Sequence, residues 1–209
     1  MAFTPFTVLQ AEPHGREEFF ERMRQVGMLL DPDRRPYAEA ELVLGDLPYE
    51  EIRPAQRYVL TDELFKVRQL DWELKRLGLD MLGLDGYLTL RLEGVPEPVD
   101  LLPPVVERIR EADGSENNVL NDGMHRMYLG RVSWRTPRVL LVKNLPKDTP
   151  YYAYPLPGPD PWGQVTVIEG DKVPSGFVKK WHRVPDNKRL YRDFNSAFLN
   201  VGGPRGGGA

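Results

Sequence analysis

Residues 119–131 read VLNDGMHRMYLGR, and the order of residue types in that stretch sets the expected fold. Val119 and Leu120 form a short apolar run suited to a buried strand. Asn121-Asp122-Gly123 is turn chemistry. Met124, Met127 and Tyr128 then recur at the spacing of one helix face. A strand therefore passes through a tight turn directly into a helix. The first N–H groups of such a helix have no partner inside it and, with the positive end of the helix dipole, they attract anions. On this reading Gly123 lets a phosphate approach the backbone because it has no Cβ. Arg126 offers a forked guanidinium to phosphate oxygens, and His125 donates or exchanges a proton near neutral pH. A plainer account has equal weight: Asp122 caps the helix, Gly123 eases the turn, and His125 and Arg126 lie on the surface.

Upstream of the turn, Val105 to Arg110 alternates, with Val105, Glu107 and Ile109 against Val106 and Arg108, as a strand should. Ala112 to Asn118 (ADGSENN) reads as a turn. Downstream, Val139 to Val142 (VLLV) is a continuously apolar strand, and Gln164 to Ile168 is a further one. Towards the start, Phe6 to Leu9 is strand-like. Phe19, Phe20, Met23, Val26 and Leu30 give Arg16 to Leu30 a helical period. Asp31 to Ala38 is a linker. ELVLGDLPYEEIRPAQRYVL, broken by Pro48 and Pro54, is a strand, a turn and a second extended piece. A helix runs from Thr61 to about Leu77, and Tyr87 to Leu92 alternates as a strand. Phe177 to Leu199 is expected to be helical, with Tyr191, Phe194 and Phe198 on the core face, before a frayed glycine-rich end. Strands interrupted by helices place the chain in the mixed α+β class.

Composition narrows the chemistry. The 209 residues contain no Cys and only His14, His125 and His182, which removes thiolate nucleophiles, disulfides and Cys-containing metal sites. No stretch approaches the ~20 apolar residues of a membrane span, and the first residues lack the pattern of a signal peptide. A cytoplasmic protein without a membrane partner is the expectation. The net charge of −3 hides an asymmetry, since residues 1–102 carry a net −8 and residues 103–209 a net +5. Seven cations against the single acid Asp186 fall between Lys172 and Arg192. A small anionic ligand suits this balance better than a non-specific DNA contact, and DNA is a less favoured partner. No Walker-type or G-x-G-x-x-G loop is present.

LPYEEIRPAQRYVL, PPVVERI, VLNDGMHRMYLGR and VLLV together resemble the ParB/sulfiredoxin-like fold, in which a strand leads into a G-x-H-R or G-E-R-R turn at a helix start. Members include ParB partition proteins, which bind CTP, sulfiredoxins, which use ATP, and archaeal free-serine kinases, which use ADP. The resemblance implies a core over residues 41–145, with an N-terminal helical addition (1–40) and a C-terminal extension packed on the core (146–209). Sulfiredoxin chemistry is excluded, because its catalytic Cys corresponds to Met124, a thioether that cannot supply a thiolate. The last 60 residues leave little room for the DNA-binding and dimerisation domains of a full partition protein. The Asp-Gly-x-His-Arg form resembles the free-serine kinases most closely. That implies Gly123, Met124, His125 and Arg126 at nucleotide phosphates, and Asp122 positioning a metal or a substrate hydroxyl.

Phosphoryl transfer to a small hydroxyl substrate needs a carboxylate base, charge neutralisation and usually Mg²⁺. Asp122, His125 and Glu51 are the acid–base candidates, although neighbouring Glu50 and Glu51 also suit a solvated turn. The expected cofactors are ATP, ADP or CTP with Mg²⁺. Lys179, Lys180 and Arg183 surround Trp181 and His182 and could form a cationic wall facing the same phosphates. The plainer account, a solvated face with Trp181 as a half-buried anchor, is the favoured one for this cluster. The alternative function is a non-catalytic ParB-like module that binds nucleotide or DNA. The Pro-rich loop from Pro155 to Gly163 reads as a lid or a connector.

Overall fold

The computed structural model describes residues 5–111 and 113–202; Ala112 and the glycine-rich end from residue 203 lie outside them. Along the chain come β1 (Val8–Gly15), α1 (Arg16–Arg24), β2 (Gly27–Met28), β3 (Glu41–Asp46), β4 (Arg53–Pro54), β5 (Tyr58–Leu60) and α2 (Thr61–Arg76). Then follow β6 (Gly86–Leu92), β7 (Val99–Leu101), β8 (Val105–Arg110), β9 (Glu116–Asp122), α3 (Met124–Val132) and β10 (Arg138–Lys143). β11 (Thr166–Ile168) and β12 (Arg192–Asp193) complete the order. The class is α+β, as the alternation of patterns implies.

The principal sheet is five-stranded and mixed, in the order β3-β10-β8-β9-β4. β10 runs antiparallel to β3 and parallel to β8, β8 antiparallel to β9, and β9 parallel to β4. The VLLV run explains the position of β10, because a strand apolar on both faces needs cover on both. Leu140 and Val142 face a core built with Phe19, Met23, Tyr37 and Phe198. Val139 and Leu141 face another containing Ile52, Met127 and Trp162. A third core lies between α2 and the antiparallel sheet β1-β6-β7, with Leu74, Leu88 and Leu90 buried.

Several sequence expectations need correction. The opening strand starts later than Phe6 and runs to Gly15. α1 ends at Arg24 instead of Leu30, and Gly27 and Met28 pair with β12. A Cβ on Gly27 would stand 2.6 Å from the Pro32 carbonyl oxygen, so backbone contact there replaces helix. The Ala112–Asn118 turn is shorter, with Asp113 holding Ser115 and β9 already under way at Glu116. Gln164 belongs to a 3-10 turn, and the following strand begins at Thr166.

The helices expected between Phe177 and Leu199 are replaced by short 3-10 turns at Asn187–Leu190 and Phe194–Ser196 around β12. The reason is tertiary. Arg192 is drawn into the interior by Glu107 (Nε–Oε1 2.9 Å, Nη2–Oε2 2.8 Å), and both side chains are fully buried. A strand pair with β2 and this bidentate contact outweigh local helix propensity. Phe198 still reaches the main core and Phe194 packs against it.

Candidate functional site

The turn expected to carry chemistry is where β9 ends and α3 begins. Val119 and Leu120 are buried in β9, whose partners β8 and β4 fix it on both sides. Asn121 donates to Tyr37 Oη (3.1 Å) and to Glu107 Oε1 (2.6 Å), which ties the strand end to the buried Glu107–Arg192 pair. Gly123 is the N-cap residue with φ +91°, a left-handed conformation that favours glycine. No side chain caps the helix start, and the Gly123 carbonyl accepts from Met127 N at 2.9 Å. The N–H groups of Met124, His125 and Arg126 therefore lack intrahelical acceptors at the positive end of the dipole.

Gly123 serves packing as well as the turn. A Cβ there would lie 3.0 Å from Pro104 Cβ and 3.1 Å from the Arg126 guanidinium. The space expected for a close phosphate is thus filled by Pro104 and Arg126 on that side. Arg126 is itself buried, and its guanidinium donates to the Leu102 carbonyl and to Asp122 Oδ2 (3.0 Å). It clamps the turn from within, with one guanidinium nitrogen held by Leu102 and another by Asp122. Met124 is buried in the core beside Ile52 and Leu120.

His125 stays at the turn but in a different chemical state from the one expected. Its Nε2 accepts the Leu60 N–H at 3.3 Å, which leaves Nδ1 as the donor of the neutral ring. Burial pushes the imidazole down to about 4, with Lys179 and Lys66 acting in the same direction against Glu63 and Asp122. Proton exchange near neutral pH is therefore lost, because a charged ring at this place would be poorly solvated. Asp122 remains partly exposed, with about a third of its side chain accessible.

The later basic segment meets this turn in part. The Lys179 charge acts on His125, and Asp122 and Lys179 both act on Lys180. Lys180 is buried, and its ammonium donates to Tyr151 Oη (2.8 Å) and to Tyr152 Oη. Burial brings the amine down to about 7. Among the described residues no carboxylate pairs with it. Arg183 is committed elsewhere, forming a bidentate pair with Glu111 (2.7 and 2.6 Å) and lying over the Tyr154 ring. Glu51 is exposed in the 3-10 turn before β4. Its carbonyl accepts from Asn118, so it sits by the start of β9 and several residues back from Asp122. At ~3.3 Å per strand residue, that is more than 10 Å from the turn. Among the described residues no group of three or more His, Asp and Glu could hold a metal ion.

Sequence reading missed Glu107, Tyr37 and Arg192, the polar centre behind the turn. The signal was there in part: Glu107 occupies an inward position of the alternating VVERI strand, between Val105 and Ile109. Tyr37 Oη donates to Glu107 Oε1 at 2.6 Å, and burial raises this hydroxyl well above its ordinary range, so it stays a donor.

The passage of a strand through Asp-Gly into a helix is what the resemblance to the ParB/sulfiredoxin-like fold implies. The family model described as the ParB CE domain matches residues 18–166, most of the chain, and the chain belongs to that family. Neither the curated proteins nor the solved structures gave a match. Among the described residues no helix is long and apolar enough to cross a membrane.

Proposed function

We propose that this ParB-family chain binds a nucleotide, ATP, ADP or CTP, with its phosphates at the start of α3. The observation that carries the reading is the uncapped helix end with the exposed Lys179, which has no carboxylate partner among the described residues, acting on the same turn. The N–H groups of residues 124–126 supply directed donors, while Lys179 supplies charge. Neutral His125 adds an Nδ1 donor. Arg126 supports binding indirectly, by holding the turn in shape. Mg²⁺ would be held largely by the phosphates, with the partly exposed Asp122 as a carboxylate at the turn.

Phosphoryl transfer to a small hydroxyl substrate is the second reading, and it rests on Asp122. Of the three acid–base candidates, Asp122 alone combines a place at the turn with a partly exposed carboxyl group. It would accept the hydroxyl proton as the oxygen attacks the terminal phosphorus of the nucleotide, whose bridging P–O bond breaks and whose shortened remainder leaves with the electron pair.

Calorimetric titration with ATP, ADP and CTP, with and without Mg²⁺, tests the first reading. One nucleotide should bind, and Lys179→Met should weaken it by about tenfold, the scale of one charge-assisted contact. Absence of binding by all three refutes the proposal. Product formation that is lost in Asp122→Asn, with binding retained, would establish the second reading.

A further inference from the structure

The C-terminal segment carries a surface that the nucleotide reading does not use. His182 bridges antiparallel to Ala153, and Tyr154 N donates to the Trp181 carbonyl at 2.8 Å. This register sets Trp181 directly opposite Tyr154, so the two side chains share one face. Both rings are exposed, Trp181 at 41% and Tyr154 at 46%. Each has a guanidinium on one side: Arg57 lies 4.5 Å from the Trp181 centroid and Arg183 lies 4.4 Å from that of Tyr154. Arg183 is fixed in turn by Glu111. Neither the Trp181 indole N–H nor the Tyr154 hydroxyl has a partner among the described residues.

We propose that this strip is a stacking surface for single-stranded nucleic acid, independent of the phosphate turn. A ring held by a cation on one side, with the rest open to water, is a platform on which a base stacks without regard to sequence. Two such rings side by side suit consecutive bases, which one mononucleotide cannot occupy. Charge fits the same partner. Arg57 makes no ion pair among the described residues. Lys188 and Arg189 are exposed further along the same segment, again without ion pairs among the described residues. Trp181 lies beyond the residues that match the family, whereas Tyr154 and Arg57 lie within them, so the strip joins the shared domain to the later segment.

Fluorescence anisotropy with labelled single strands of about 15 nucleotides tests this, with a duplex of the same sequence as control. The single strand should bind in a salt-dependent way and better than the duplex. Trp181→Leu and Tyr154→Leu should each weaken it by about tenfold, and Trp181→Phe, which keeps a stacking ring, should restore most of the loss. Both rings are exposed, and a melt of each variant confirms that it folds. No binding, equal binding of duplex, equal affinity in Trp181→Leu, or binding of mononucleotide with no gain from chain length would overturn the proposal. Nucleotide titration at the phosphate turn is unaffected by any of these outcomes.

Discussion

Arg126 donates inward to Leu102 and Asp122, and that contact decides how its replacement will read out. Arg126→Ala removes a buried charged donor from two acceptors and should cost about 1.5–3 kcal/mol, seen as a lower urea midpoint with unchanged slope. Unaltered stability would mean the clamp is not needed. Gly123→Ala meets a positive φ and the Pro104 contact together and should cost about 1–3 kcal/mol in the same measurement. His125 makes a pH prediction. Its folded-state value of about 4 lies below the ordinary 6.5, so between those values the unfolded chain binds more protons. The contribution is complete above pH 6.5 and is lost as pH falls towards 4. Thermal midpoints from pH 6.5 to 5, where most carboxylates are still ionised, should fall in the wild type and flatten in His125→Gln. The passage from strand to helix at Gly123 was legible in the sequence, although β9 runs on through Asp122 and no side chain caps the helix. The direction of Arg126 was not legible, because it depends on Leu102, which joins the turn only in the folded sheet.

Among the elements, the apolar and alternating strands were readable because burial imposes their pattern: β8 spans the residues its alternation marks, and β10 extends VLLV by one residue at each end. The Pro-rich stretch offered no such period. The structure makes it a strap, since Trp162 is buried and its indole donates to the Ile52 carbonyl at 2.8 Å and the Tyr49 carbonyl at 3.1 Å. Trp162→Ala should therefore destabilise by about 3–5 kcal/mol, the range for large aromatic deletions in cores. A neutral substitution in a urea melt would show the loop to be a detached lid. The last segment misled because the spacing of Tyr191, Phe194 and Phe198 fits a helix, whereas Arg192 between them is claimed by Glu107 from across the molecule.

At the scale of the whole molecule, the C-terminal segment is part of the fold. Phe198 fills the core that α1 and β10 also build, and Arg192 neutralises Glu107 behind the turn. Arg192→Met leaves Glu107 as an unpaired buried charge and should cost about 3–5 kcal/mol. Adding Glu107→Gln should recover part of that loss, because Tyr37 and Asn121 can still donate to the amide oxygen. Failure of the double variant to gain over the single one in urea melts would show that charge is not the cause. This long-range pairing was closed to sequence reading, since the partners are far apart and an isolated Glu or Arg carries no period. The same pair, through Asn121, holds the end of β9 that presents the uncapped helix. The most direct measurement of the central claim is therefore an amide ¹H–¹⁵N titration of the intact chain with ATP, ADP and CTP, with Mg²⁺. The account predicts saturable shifts concentrated at the N–H groups of Met124, His125 and Arg126 with at least one nucleotide. Saturable shifts located elsewhere, with these three unmoved, would contradict it.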